Sequence, residues 1–193
     1  MNQEELNKIL ENHKHWLNED CIGWENMKAD FGGIDLSGMD LRGADLRYAL
    51  NIKEANLRGA NLSGANLIEV DFTDAKLYEV NFKEANLSGV DFDGAELNYS
   101  CMEGADLSDA NLNNANLYET DFWGADLRNT YLNNANFKGA SLEDAILKNA
   151  KLEIYDSGFT HQGGGNYVAK DIMVRNNLIE TCGMGSVEYW MAY

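Results

Sequence analysis

The sequence predicts an all-β solenoid, and three features of one long segment predict it. Residues 29–154 divide into 25 units of five residues with the form A(D/N)LxG. The third position is Leu in 17 units and Phe in six, and the first position is Ala in 16. The chain of 193 residues contains no proline, which could not donate to a backbone ladder. These features predict stacked coils of extended backbone.

The repeat frame divides in two. Four units run from Ala29 to Tyr48, an extra residue is assigned to Ala49, and 21 units run from Leu50 to Ile154. Positions one and three lie two residues apart, so their side chains point to the same side of extended backbone. The chain must then bend at positions four and five before the next pair points inward.

Position five decides the expected turn. Gly, Asn or Asp occupies it in 17 units, and these residues accept the positive φ of a type II turn. Larger side chains tolerate that conformation poorly, so a different turn is expected where they occur. Examples are Glu69, Glu79, Glu84, Tyr99 and Glu119.

The tandem units resemble the pentapeptide-repeat family. IDLSG at Ile34–Gly38 and ANLRG at Ala55–Gly59 are two of them, and the resemblance covers residues 29–154. It implies a right-handed quadrilateral β-helix with four units per coil, about six coils, and Leu or Phe stacked at the centre. With coils at strand spacing, ~4.8 Å, the rod would be roughly 30 Å long.

Residues 1–28 are expected to form an N-terminal helix and cap. The pattern predicts a helix over residues 3–17, with Asn2 as its N-cap. Its apolar stripe contains Leu6, Ile9, Leu10, His13, Trp16 and Leu17. We expect the helix to cover the open first coil, with Trp24 assisting; the alternative is a helix that binds a partner.

Residues 155–193 are expected to form a C-terminal tail with a hairpin and a short helix. A flexible connection at residues 161–166 precedes a hairpin over residues 171–182, and Ser186 is a candidate cap of the last helix. Two roles stay open for the apolar end, which contains Trp190, Met191 and Tyr193. It is either a second lid or a homodimer contact, so the chain is expected to be a monomer or a homodimer.

The charge and cysteine content restrict the partner and the compartment. A net charge of −17 argues against direct binding to nucleic acid or to an anionic membrane. The three cysteines are widely spaced, which argues against a disulfide framework or a structural metal site. The N-terminus lacks the basic and apolar regions of a signal peptide, so a cytoplasmic protein is expected.

No pattern in the sequence points to catalysis. The only histidines are His13, His15 and His161, and no carboxylate or cysteine lies near them in a clear ligand spacing. Nucleophile-elbow, zinc-binding and Walker motifs are absent. The sequence therefore predicts no catalytic residue, no metal, no cofactor and no enzyme activity.

Two surface features are candidate binding sites. The first is a candidate aromatic contact face made by Tyr78, Tyr99 and Tyr118, with Trp123 exposed on the next face and with Glu79, Glu96 and Glu119 at its rim. It is interpreted either as a contact surface or as side chains that stack to stabilise one side of the rod. The second is an acidic belt between residues 84 and 127, which contain no Lys or Arg. The belt consists of Glu84, Asp91, Asp93, Glu96, Glu103, Asp106, Asp109, Glu119, Asp121 and Asp126.

These features predict a non-catalytic scaffold that binds a protein partner. The family resemblance adds an alternative, because some pentapeptide-repeat proteins protect DNA gyrase as acidic rods that mimic DNA. In that case the partner would be gyrase, a topoisomerase or another basic DNA-binding protein. This chain differs from that group in three ways: it has an N-terminal helix, it has no loop insertions between coils, and its C-terminal segment is only a weak match to a dimerising helix.

Overall fold

A computed structural model describes residues 1–152 and 173–174. The chain begins with helix α1 (Gln3–Asn18) and a 3-10 helix (Trp24–Asn26), followed by the repeat region. At the far end, strand β1 (Lys151–Leu152) pairs in parallel with strand β2 (Met173–Val174). No helix in the described part of the chain has both the length and the apolar character that a membrane span needs.

The repeat region is held by parallel bridges between residues 20 apart. Asn61 pairs with Asn81, which pairs with Cys101, which pairs with Asp121. Twenty residues are four units of five, so each coil contains four units and has four sides. This is the predicted β-solenoid, built from single bridges rather than from long strands.

Backbone hydrogen bonds join each coil to the next at every unit. Leu107, at position three, donates its N–H to the carbonyl of Asp126 at 2.8 Å. Asp109, at position five, donates to the carbonyl of Arg128 at 2.9 Å. Because these bonds use only the main chain, the solenoid tolerates many different outward side chains.

The interior is a continuous stack of position-three side chains flanked by small position-one residues. Leu107, Phe72 and Phe92 are completely buried. The rings of Phe72 and Phe92 stack with centroids 5.4 Å apart, and Phe82 meets both edge-on. Each buried large side chain contributes roughly 2 kcal/mol relative to an exposed one, so the stack is the main source of stability.

The turn prediction for large position-five residues is wrong. Every position-five residue from Gly33 to Asn149 has a positive φ, and for Glu69, Glu79, Glu84, Tyr99 and Glu119 it lies between 52° and 62°. The same turn-closing bond recurs, as from Val80 N–H to the Leu77 carbonyl at 3.2 Å. Glu79 also donates its N–H to the next coil at 3.1 Å. The ladder therefore imposes one turn geometry at each corner and overrides the local preference of the side chain.

The extra residue of the frame lies at Asn51, two residues from its assigned position. Ala49 packs against the core as a position-one residue, and Leu50 forms the bridge with Asp30 that a position-two residue forms. Asn51 bulges outward with a φ of 55°, a conformation that Asn tolerates better than most residues. Its amide donates to Asp30 Oδ1 at 2.7 Å, which fixes the bulge against the first coil.

Helix α1 begins at the predicted N-cap. The Asn2 side chain accepts from the N–H of Glu5 at 2.9 Å, and the Glu5 carboxylate accepts from the N–H of Asn2 at 2.9 Å. This reciprocal pair is a capping box. Leu6 and His13 are buried on the face toward the solenoid, where Ile9 and Leu10 also pack against the core.

Side chains of α1 also bond to the open edge of the first coil. The Gln3 amide donates to the Asp40 carbonyl at 2.8 Å and accepts from the Asp40 N–H at 2.9 Å. His13 Nδ1 accepts from the Ala29 N–H at 3.1 Å, while Nε2 lies 3.0 Å from the Arg47 carbonyl and donates to it. In later coils the preceding coil supplies the partners of the groups equivalent to the Asp40 N–H and carbonyl and the Arg47 carbonyl. At these three groups α1 takes the place of a preceding coil.

The predictions for the C-terminal tail mostly fall outside the described residues. This holds for the connection at residues 161–166, the hairpin turn and second arm, the last helix, and Trp190, Met191 and Tyr193. The exception is Met173–Val174, within the predicted hairpin, which lies beside Lys151–Leu152.

Candidate protein-binding surface

Three tyrosine rings and an arginine form one corner of the rod, here called the aromatic corner: Arg58, Tyr78, Tyr99 and Tyr118. The rings of Tyr78 and Tyr99 meet edge-on with centroids 5.2 Å apart, and those of Tyr99 and Tyr118 at 5.4 Å. The Arg58 guanidinium lies 4.6 Å from the Tyr78 ring centroid. Positions four and five of successive coils supply these residues, so the ladder sets their spacing.

The aromatic corner is open to solvent and bordered by carboxylates. Tyr99 is 43% exposed, although it lies between the other two rings. A hydrogen bond and the negative charge of Glu119 raise the pKa of Tyr118 to about 12. Burial of the hydroxyl, and then the charge of Glu79, raise the pKa of Tyr78. The Tyr78 and Tyr118 hydroxyls are therefore protonated at neutral pH and can donate hydrogen bonds.

The structure brings the three tyrosines of the candidate face together, and Trp123 lies on the neighbouring face, where the 20-residue spacing places it. Trp123 is 46% exposed, but no ring contact joins it to the tyrosines in the described residues. Its column runs through Lys83 and Glu103, on a neighbouring side of the rod. Arg58 was missed, although its place 20 residues before Tyr78 in a coil of 20 could have revealed it.

Four carboxylates of the acidic belt have a structural task. They occupy position two and accept the N–H of the residue two places on, which stabilises the following turn. They are Asp91, Asp106, Asp121 and Asp126, whose Oδ1 atoms accept from Asp93, Ser108, Trp123 and Arg128 at 3.0–3.1 Å. Asn at position two does the same elsewhere, so these acids belong partly to the repeat itself.

Two belt carboxylates are paired with cations from outside the belt. Lys83 Nζ lies 2.7 Å from Glu103, and Arg128 forms an ion pair with Asp126. Neutral amide groups hold three others: Asn111 donates to Asp91, Asn114 to Asp93 and Asn129 to Asp109. These amides fix the carboxylates without cancelling their charge, so the belt keeps most of its negative charge.

The remaining belt residues project outward from the rod. Glu84 and Glu119 occupy corners with positive φ, and their side chains lie against Gly104 and Gly139 of the following coil. Glu96 is exposed at position two, between Lys76 and Asn116 in the ladder. All three are accessible to a partner.

The histidines and cysteines differ from the expectation in one respect. His13 is buried between two backbone groups, and Cys101 is a half-buried free thiol. His15, however, lies in a group with Asp20 and Cys21, whose ligand atoms are all within 4.8 Å of one another. The sequence interpretation that no carboxylate or cysteine lies near a histidine in a ligand arrangement is therefore wrong at this place. The signal was hidden because the three residues meet across the end of α1 rather than along one face.

Comparisons with known protein families decide the family. A model of the pentapeptide repeat region matches residues 51–122, and a model of eight pentapeptide repeats matches residues 27–64 and 115–153. The chain belongs to the pentapeptide-repeat family. A comparison with curated proteins found no match.

Among solved structures, the pentapeptide repeat protein HetL shows the same fold. HetL, involved in heterocyst differentiation regulation in the cyanobacterium Nostoc sp. strain PCC 7120, is 36% identical with a TM-score of 0.51. That match covers 65% of this chain and 62% of HetL, so this chain spans less than two thirds of that protein. A pentapeptide repeat protein from the Arabidopsis thaliana thylakoid lumen is 28% identical with a TM-score of 0.46, over 65% of this chain and 77% of that one. QnrB1, a plasmid-mediated fluoroquinolone resistance protein, is 20% identical with a TM-score of 0.27, over 69% of this chain and 78% of that one.

Proposed function

We propose that this chain is a non-catalytic scaffold that binds a protein partner through the aromatic corner. The observation that carries the proposal is the stack of half-buried Tyr78 and Tyr118 around exposed Tyr99, joined to Arg58. Tyr and Arg are the residue types that dominate binding energy at protein interfaces. A stack of rings held by a rigid rod also loses little conformational entropy on binding.

The repeat does not require these tyrosines. Elsewhere in the rod, most position-four residues are polar or charged, such as Ser63, Lys83 and Asn113, and position five is Gly in ten units. Tyr99 even adopts a φ of 62°, which a glycine would adopt without strain. Tyr99 is thus a large residue in a backbone conformation that strains it, at a position where glycine would fit. This supports a role for its side chain in binding.

The border of the aromatic corner favours a basic partner. Glu79 and Glu119 flank the rings, and the whole chain carries a net charge of −17. The complementary surface would place apolar or planar groups on the tyrosines and Lys or Arg side chains on the carboxylates. The charges would raise the association rate, and the rings would supply most of the affinity.

The same proposal assigns a supporting role to α1. The bonds from Gln3 and His13 to the first coil support a cap that blocks edge-to-edge association of rods. About six coils would then stack between this cap and the C-terminal tail. We also propose that the protein works in the cytoplasm, where free thiols such as Cys101 stay reduced.

Site-specific photocrosslinking in host cells tests the proposal. A photoreactive amino acid in place of Tyr99 should crosslink one discrete partner, because that side chain lies at the centre of the aromatic corner. The matched control is Tyr131, which is 40% exposed and packs on Lys151 away from the corner. Equal crosslinking at both positions, or none at Tyr99, would contradict the proposed surface.

A second candidate function rests on the acidic belt. Eight of its carboxylates have no ion pair among the described residues, which leaves a strongly negative rod for a basic DNA-binding protein such as gyrase or a topoisomerase. A gyrase supercoiling assay, with and without a quinolone, tests it. Inhibition or protection that weakens with salt and is reduced by Glu84→Gln and Glu96→Gln would support a DNA mimic. No effect at micromolar protein would remove gyrase as the partner.

A further inference from the structure

Three kinds of metal ligand meet where α1 ends. The helix ends at Asn18, and the left-handed φ of 52° at Glu19 turns the chain back toward the last helical turn. This brings Asp20 Oδ1 to 2.6 Å from His15 Nδ1. Cys21 Sγ lies in the same group, with all three ligand atoms within 4.8 Å of one another.

Two neighbours complete the arrangement. Glu11 Oε1 lies 3.7 Å from His15 Nε2, one turn earlier on α1. A carboxylate on the second ring nitrogen is the usual way in which a metal-binding histidine is oriented. Met27 Sδ lies 3.6 Å from Cys21 Sγ and covers the sulfur from the side of the 3-10 helix.

We propose that His15, Asp20 and Cys21 bind a Zn²⁺ ion, and that Glu11 positions the His15 ring. An imidazole nitrogen, a carboxylate oxygen and a thiolate are all common zinc ligands, and three of them leave a fourth position for water. Tetrahedral zinc places its ligand atoms about 3.3–3.7 Å apart. The observed 2.6 Å between His15 Nδ1 and Asp20 Oδ1 is shorter than this spacing. A small outward movement of these two side chains would therefore make room for the ion.

Binding would couple the metal to the N-terminal end of the fold. The ion joins the last turn of α1 to the segment that enters the first coil at Ala29. Cys21 binds as a thiolate, so its thiol proton is released to solvent as the sulfur–zinc bond forms. The ion would thus fasten the helix whose Gln3 and His13 bond to the coil edge.

Titration of the reduced full-length chain with Co²⁺, a spectroscopic substitute for Zn²⁺, provides the test. We expect one Co²⁺ per chain, with tetrahedral bands and a sulfur-to-cobalt charge-transfer band that Zn²⁺ displaces. Cys21→Ser and His15→Gln should abolish the bands, and Glu11→Gln should weaken affinity about 10-fold or more. Cys101→Ser is the matched control and should leave the titration unchanged.

Alkylation of the unmodified protein gives a readout that does not depend on variants folding. Zn²⁺ should slow the reaction of iodoacetamide with Cys21 and leave that of Cys101 unchanged, as measured on their peptides by mass spectrometry. The proposal is overturned by the absence of a charge-transfer band, by a band that persists in Cys21→Ser, or by binding of Cu⁺ alone. Equal protection of both cysteines would overturn it as well.

Discussion

The interior stack and the aromatic corner are two ladders of the same rod, built with the same 20-residue spacing. In the interior, Leu107 is completely buried, and any change is felt by the coils above and below. At the corner, Tyr99 contacts two rings but keeps 43% of its surface exposed. One ladder is needed to fold, and the other has area left for a partner.

The comparison shows why a surface feature can carry function in a repeat protein. Main-chain bonds and inward side chains determine the coil, so outward positions are free to vary without loss of the fold. An outward residue that is unusual for its position is therefore informative, whereas an inward one mostly reports packing. Changes in the two ladders should separate stability from binding.

The largest effect on stability is expected in the interior. Leu107→Ala should lower the free energy of unfolding by about 2–5 kcal/mol, because it leaves a cavity between closely packed coils. Chemical denaturation measures the change. Glu96→Ala, an exposed change in the same part of the rod, should stay within about 0.5 kcal/mol. Similar losses in both variants would show that the repeat frame is wrong.

The stability cost of replacing a corner glycine with alanine should depend on which atoms lie beside the new Cβ. Gly139→Ala should cost about 2–4 kcal/mol, because φ is 78° and the new Cβ would lie 2.8 Å from Glu119 Cγ. Gly124→Ala also has a positive φ but meets nothing within 4 Å, so about 1 kcal/mol is expected. Adding Glu119→Ala to Gly139→Ala should recover the difference. Equal costs without recovery would mean that the clash is absent.

An outward asparagine should matter more than its position suggests. The repeat pattern places Asn113 at an outward position, where substitution is expected to change stability little. Its Oδ1, however, accepts from the N–H of Asn133 at 2.8 Å. Asn113→Ala should therefore cost about 1 kcal/mol, the net contribution of one hydrogen bond. Thermal and chemical unfolding both measure it. An unchanged free energy of unfolding would show that the Asn113 side chain does not contribute to stability.

The free energy of unfolding should fall slightly in acid because of His13 at the N-terminal edge of the solenoid. Burial lowers the pKa of His13 below 6.5, because the imidazolium is poorly solvated there, so the folded state favours neutral His13. The stability from this group is present above pH 6.5 and is lost as the pH falls through the lower folded-state pKa. His13→Gln should flatten this part of the profile of unfolding free energy against pH, because the group that titrates is removed. A steeper loss toward high pH would contradict the burial of a neutral ring.

The sequence predicted the parts of the molecule that repeat. The solenoid, the buried Leu107 column and the Asn2 cap follow from short patterns and local propensities. It failed for Glu79 and Tyr99, since the ladder forces a turn that these side chains would not choose alone. It also missed the meeting of His15 with Asp20 and Cys21, because a left-handed residue at Glu19 reverses the chain and no periodicity records that.

The central claim is that the aromatic corner binds a partner, and Tyr99→Ala tests it most directly when two quantities are measured on one variant. The partner captured by crosslinking at Tyr99 should bind the variant at least 10-fold more weakly, while the free energy of unfolding falls by about 1 kcal/mol or less. Raised salt should weaken the wild-type complex only modestly. An unchanged affinity together with a larger loss of stability would contradict the claim and leave the stacked tyrosines as a stabilising feature of the rod.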